Sequence, residues 1–312
     1  MAEVYKLPGH KVDVKLLVFN HEIHCHSLML KLGSAYFRKF LDSADKTPAP
    51  ANATFRYEYV TIQDTPGDVP SLEVAPKVEV RGDKPVDTRS DHWYIAVKHM
   101  TDCMYGKSFT LASFDDIKFL AKVADFYGAL PVVSRTLDTV FFRSPKFIER
   151  IPDNAGSLLK IAYQLRNRIL YKECMIHVAG RWKSNPCISE DDMDLRIRVL
   201  VAYGSVCDKL VTANHKLIQM VALYYIYNND KIYSELHDIA ISHCSSLTDY
   251  YRAFYDKRYS TEIDEVLSKV LTSNLILDPS KLGAGQGRFK DYFVCAEITD
   301  KELPWDEEEE DW

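Results

Sequence analysis

The stretch Asp13 to Leu41, DVKLLVFNHEIHCHSLMLKLGSAYFRKFL, most restricts what this chain can fold into. Val14, Leu16 and Val18 alternate as on a strand, and Asn20 and His21 then turn the chain. From His26 the period becomes helical. At about 100° per residue, His26, Leu30, Gly33, Phe37 and Leu41 share one arc, and Met29, Leu32, Tyr36 and Phe40 form a second beside it. Few positions are left for solvent. One continuous helix with so wide an apolar face must be covered twice, by its own core and by a further element or chain.

The order of these residues carries a resemblance. Asp13 opens a strand, and His26, Leu30, Ser34 and Phe37 follow as His-x-x-x-Leu-x-x-x-Ser-x-x-Phe. Downstream come Tyr105-Gly106, then Leu120-Ala121 and Ala124-Asp125-Phe126-Tyr127-Gly128, similar to a Leu-Ala-x-x-Ala-Asp-x-Tyr helix. Together they resemble the BTB/POZ domain over most of residues 10 to 143. The resemblance implies a small sheet capped by a helix cluster, and a role in protein association rather than chemistry.

The rest of the chain narrows the alternatives. Its 312 residues, 46% of them apolar, suffice for two domains. Seven cysteines form no Cys-x-x-Cys pair, and the odd count speaks against a disulfide framework. The first ten residues hold no apolar core of signal-peptide length, and no run of about 18 apolar residues occurs. A cytoplasmic or nuclear protein without a membrane span is expected. The net charge of -6 is uneven: Asp300 to Trp312 alone carries -7, which leaves +1 for residues 1 to 299. A near-neutral body without a basic stripe predicts no nucleic-acid partner.

In chain order, residues 1 to 12 read as a short lead-in, and the proline-rich 43 to 54 as a connection. Phe55 to Gln63 alternates as a strand. An irregular insertion at about 64 to 92 follows, with an edge strand open at Val78 and Val80. Helices are expected from Trp93 to Met104, from Phe114 to Tyr127 behind a Ser113 cap, and from Val132 to Phe142, with Gly106 accepting a left-handed conformation. Helical patterns then run almost unbroken to Asn274. They suggest caps at Asp153 or Asn154 and at Ser189, a turn at Asn185-Pro186, a break near 204 to 208 or 212 to 214, and helices over 231 to 256 and 261 to 273. Stacked helices after a BTB domain are similar to that family's BACK-type extension.

The candidates for chemistry are weak. His21-Glu-Ile-His24-Cys25-His26 lacks the i, i+4 histidines of a zincin helix, so His26 reads as a partnered interior imidazole and no metal is expected. Gly283-Ala-Gly285-Gln-Gly287 has neither the strand-to-helix context nor the Gly-Lys-Ser/Thr ending of a phosphate loop, and reads as a flexible linker. His243 and Cys244 are adjacent, and helix neighbours point apart. The aromatic run Tyr224 to Tyr227, with Tyr250, Tyr251, Phe254, Tyr255 and Tyr259, reads as core.

The expectation is therefore an α+β chain: a BTB/POZ fold over 1 to 143, a helical BACK-like domain over 144 to 278, and an extended or disordered acidic tail over 279 to 312. Its function is expected to be non-enzymatic, cofactor-free protein association, with Met29, Leu32, Tyr36 and Phe40 as the self-association surface of a homodimer. A narrower form implied by the resemblance is an adaptor for a cullin-based ubiquitin ligase. There Val97-Lys98-His99 matches the family's hydrophobic-x-Glu triplet, with His99 in place of Glu and no Thr between Tyr105 and Gly106. The rival readings are a nuclear or transcriptional scaffold acting through the acidic tail, and an enzyme using His177, His237 or His243 in a pocket of the C-terminal helices.

Overall fold

The structure, a computed structural model, describes residues 2–41, 43, 53–65, 67–75, 89–181, 192–226, 230–242, 246–306 and 309. It is a mixed α+β chain with a five-stranded sheet and, among the described residues, eleven α-helices. Two compact units share it: Met1–Arg150 with Gln164–Asn167 and Glu308–Trp312, and Ile151–Tyr163 with Arg168–Glu307.

In the first unit, β1 (Glu3–Val4), β2 (Val14–Val18), β3 (His21–Cys25), β4 (Tyr57–Ile62) and β5 (Ser71–Val74) stand in the order β1-β3-β2-β4-β5. Val14, Leu16 and Val18 are fully buried, so the alternation seen in the sequence sets the face of β2. His21 does not merely turn the chain. It begins β3, antiparallel to β2 with Leu16 opposite Ile23, and Phe19 takes a left-handed φ of 52° in the link. The lead-in is also ordered: β1 pairs parallel to β3, and the Tyr5 amide donates to the His24 carbonyl at 2.9 Å. The insertion contributes β5, antiparallel to β4 and anchored by buried Leu72. Val78 and Val80 lie outside the described residues, as does most of 43 to 54.

The stretch expected to be one helix is two, α1 (Ser27–Gly33) and α2 (Ala35–Phe40). Ser34 separates them with extended backbone, and its hydroxyl accepts from the Phe37 amide while donating to the Tyr127 carbonyl at 2.5 Å. A serine cap with a distant partner outweighs helical continuation there. α3 (Ser90–Met104), α4 (Phe114–Phe126) and α5 (Leu130–Phe142) pack against one another, α3 also meets β2, and Trp93, Val97, Met100, Ile117, Leu120, Leu137 and Phe141 are buried. Ser113 and Asp116 form a reciprocal capping box, and Gly106 has a φ of 61°.

No cap forms at Asp153 or Asn154. They lie inside α6 (Pro145–Gln164), which carries Pro152 in its interior. An interior proline costs about 3 kcal/mol. Burial of Phe147, Ile148 and Ile151 before it, and of Ala155, Leu158 and Leu159 after it, offsets that cost at about 1.5–3 kcal/mol per large side chain.

The second unit is helical. α7 (Arg168–Gly180) is buried nearly all round. α8 (Met193–Ile226) is one unbroken 34-residue helix, with no interruption near Gly204 or Thr212. Leu195, Val199, Ala202, Val206, Leu210, Ala213, Leu217 and Met220, spaced by three or four, keep one face buried along its length. That seam overrides the roughly 1 kcal/mol cost of an interior glycine. Beyond it are α9 (Asp230–Ser242), α10 (Leu247–Asp256) and α11 (Thr261–Leu271), so one expected helix is split ahead of the Ser246 cap. Trp182, Asn185-Pro186, Ser189 and Tyr227 lie outside the described residues, as do the side chains of Tyr224 and Tyr225.

The chain after α11 packs onto the same unit. Phe289, Phe293, Val294, Cys295 and Ala296 are buried, and Asn274 donates from its amide nitrogen to the carbonyls of Cys295 and Ala296, each at 3.1 Å. The glycine-rich run is a packed turn rather than a linker. Gly285 has a φ of 81°, and a side chain at Gly283 would collide with the Leu271 carbonyl. Trp305 meets Tyr171 edge to face at 5.2 Å, and Asp300 pairs with Lys172 at 2.7 Å. In the first unit, Glu309 pairs with Arg166 at 2.6 Å. Glu307, Glu308 and residues 310–312 are outside the described residues.

Candidate interaction surface

Asp13, His26, Ser34, Tyr105 and Tyr127 make hydrogen bonds around α1 and α2. His26 stands at the N-cap of α1 but makes no side-chain cap bond. Asp13 supplies it from β2's entrance, accepting from the Ser27 amide at 2.7 Å and the Ser27 hydroxyl at 2.6 Å. His26 itself is buried, and its amide donates to the Tyr105 hydroxyl at 2.8 Å. That hydroxyl also lies 2.7 Å from His26 Nδ1. The other ring nitrogen, Nε2, lies 3.4 Å from the His10 carbonyl, so a ring carrying its proton on Nε2 satisfies both contacts. Leu30, Phe37, Ala124 and Tyr127 are fully buried; Phe37 stacks on Tyr127 at 5.4 Å, and the Tyr127 hydroxyl donates to the Pro70 carbonyl at 2.7 Å. Asp125 is exposed, and its carbonyl accepts from Gly128.

The second arc is largely taken up within the unit. Tyr36 contacts Phe37, Phe40, Phe126 and Tyr127, and Phe40 also contacts Tyr59. Met29 is half-buried. Of the four residues expected to be uncovered, only Leu32 is, at 69% exposure, and Leu28 one turn earlier joins it at 45%. Neither arc of a continuous helix contained Leu28. Its signal was the i, i+4 spacing to Leu32, read on α1 alone.

The triplet Val97-Lys98-His99 sits on α3. Val97 belongs to the interior, and Lys98 is committed to Asp102 at 2.8 Å. Buried Asp102 also accepts from the Tyr5 hydroxyl at 2.7 Å. His99 stacks on Phe109 at 4.1 Å, and burial lowers its pKa to about 4. The triplet thus offers a partner only the outer parts of Lys98 and His99.

The histidine cluster does not converge. His21 stacks on Tyr94, His24 lies beside Glu22 and Phe55, and Cys25 and His26 are interior. In the second unit His177 is fully buried and 3.9 Å from buried Glu173. Desolvation pushes Glu173 up to about 7 and His177 down to about 3. Glu173 nonetheless accepts from the amides of Ile276 and Leu277, at 2.6 and 3.1 Å, so it ties the chain after α11 to α7. His237 is exposed on α9, and His243 to Ser245 are outside the described residues. A cleft of about 420 Å³ in this unit is lined by Arg252, Ser273, Asp278, Lys281 and Gln286 among others and, among the described residues, by no histidine.

Among the described residues no helix is long and apolar enough to cross a membrane. Compared with models of protein families, with curated proteins and with solved structures, the chain matches none.

Proposed function

We propose that the chain is a non-enzymatic protein-association module of the BTB/POZ type joined to a helical extension, and that α1 presents its contact face. The observation carrying this is the pair Leu28 and Leu32, which stay exposed on one face of α1 while the neighbouring arc folds inward. Two leucines left wet cost about 1.5–3 kcal/mol each relative to burial, enough to favour a partner. The frame of Asp13, His26, Ser34 and Tyr127 supports the reading by holding α1 rigidly, as a docking helix must be held. The partner is a protein, a second copy being the first to test. Light scattering tests it: the native chain gives a dimer mass at micromolar concentration and Leu32→Glu gives a monomer. A native monomer, together with no protein retained by the native chain and lost by Leu32→Glu, would remove the proposal.

A further inference from the structure

The acidic end of the chain lies on the helical unit as a strap. α7 and α8 pack together, and between them they carry the four cations that meet it. Lys209 donates to the Cys295 carbonyl at 3.0 Å and to the Glu297 carboxylate at 2.6 Å. Lys172 donates to the Asp300 carboxylate at 2.7 Å, with Arg168 3.9 Å from the same oxygen. Arg198, paired with Asp194 on its own helix, also donates to the Glu302 carbonyl at 3.3 Å. Further on, Leu303 is buried and Trp305 stands edge to face against Tyr171. What this surface reads is therefore an acid, a leucine three residues later and a tryptophan two beyond that, Asp300-x-x-Leu303-x-Trp305.

The cations belong to the body and the acids to its surface. Lys172 and Lys209 are 16% and 21% exposed, whereas Asp300 and Glu297 are 57% and 68% exposed. Ion pairs with one partner so open to water hold weakly and are screened by salt. The occupied state also leaves a group unsatisfied: the Tyr171 hydroxyl, in the ring that Trp305 covers, is buried and has no hydrogen-bond partner among the described residues. A ligand offering an acceptor at that point would gain a bond that the strap does not make.

We propose that this cationic, tyrosine-bearing surface of α7 and α8 is a docking site for an acidic Asp-x-x-Leu-x-Trp peptide of another protein, and that the chain's own residues 297 to 306 occupy it as a displaceable stand-in. Charge complementarity selects the occupant: basic side chains on two helices take carboxylates at fixed points, and the aromatic contact sets the register. The tether makes the strap a competitor. At an effective concentration of about 1 mM and an intrinsic dissociation constant of about 0.1 mM, it lowers the apparent affinity for an outside peptide about 10-fold. The inference does not depend on α1.

The test uses full-length protein and a fluorescein-labelled peptide of residues 297 to 306, EITDKELPWD, followed by fluorescence anisotropy. A chain opened by Asp300→Lys with Trp305→Ala binds the peptide about 10-fold or more tighter than the native chain. Adding Lys172→Glu to the opened chain weakens binding about 10-fold or more, and a peptide carrying lysine in place of Asp300 restores it. Trp305→Ala alone provides a second opened chain should the double variant melt early. No tighter binding by either opened chain than by the native one, or equal binding of a scrambled peptide of the same composition, would overturn the proposal. A native dimer mass that falls to a monomer on Trp305→Ala would assign the strap to a second copy and overturn the separate partner.

Discussion

Asp13 and Ser27 are fourteen residues apart, yet the Asp13 carboxylate takes both the amide and the hydroxyl hydrogen of Ser27. The entrance to β2 thereby caps α1, which has no cap of its own. Asp13→Ala should destabilise the first unit by about 1–2 kcal/mol, with Asp13→Asn losing less. Urea unfolding of both variants against the native chain measures it, and equal midpoints for all three would contradict the cap.

Phe37 is fully buried and stacks on Tyr127, whose neighbour Gly128 takes a φ of 56°. Phe37→Ala should cost about 3–5 kcal/mol, the range for a buried aromatic that leaves a cavity. Thermal unfolding followed by near-ultraviolet circular dichroism reports on this cluster of rings. A shift of the midpoint no larger than that of an exposed substitution such as Arg38→Ala would be incompatible with the packing.

Gly180 closes α7 where the Phe293 carbonyl approaches so closely that any Cβ would overlap it. Its own carbonyl accepts from the Phe293 amide at 3.2 Å. Gly180→Ala should therefore force the two backbones apart at a cost of about 1–3 kcal/mol. Limited proteolysis should then cut within residues 289 to 298 at least several times faster than in the native chain. Unchanged cleavage would argue against docking of that segment.

Glu173 and His177 shift stability in opposite directions with pH. The folded state raises Glu173 from 4.5 to about 7, so between those values the native protein holds a proton that the unfolded chain has released. Stability falls across that window as pH rises, by an amount on the order of 3 kcal/mol. Glu173→Gln keeps an acceptor for Ile276 and Leu277 and removes the ionisation. It should gain on the native chain at pH 8 and match it near pH 4.5. The folded state lowers His177 from 6.5 to about 3, so its contribution is present above pH 6.5 and is lost as pH falls toward 3. His177→Leu should flatten that acid limb. Denaturant melts from pH 4 to 8 separate the two slopes, and parallel curves for the native chain and both variants would rule out the assigned shifts.

Several features that depend on neighbours a few residues away were legible in the amino-acid order, although the cap read at Asp153 or Asn154 was not formed. Alternation of Val14, Leu16 and Val18 chose the buried side of β2, Ser113 and Asp116 built a cap from adjacent groups, and Gly106 accepted the left-handed turn. The polar frame was legible as a set of positions, Asp13, His26, Ser34, Tyr105 and Tyr127, though not as a set of bonds. Their partners lie 14 to 93 residues apart.

Tertiary packing decided the rest. Ser34 broke a helix that periodicity alone would continue, because the Tyr127 carbonyl was there to receive its hydroxyl. Pro152 and Gly204 failed to break theirs, because buried side chains on either side outweighed a local cost of a few kcal/mol. The run Gly283 to Gly287 became a packed turn since only glycine lets two backbones approach so closely. Local sequence determines what each segment can form; which of those forms survives, and which leucines remain outside, is set by side chains that meet only after the chain has closed on itself.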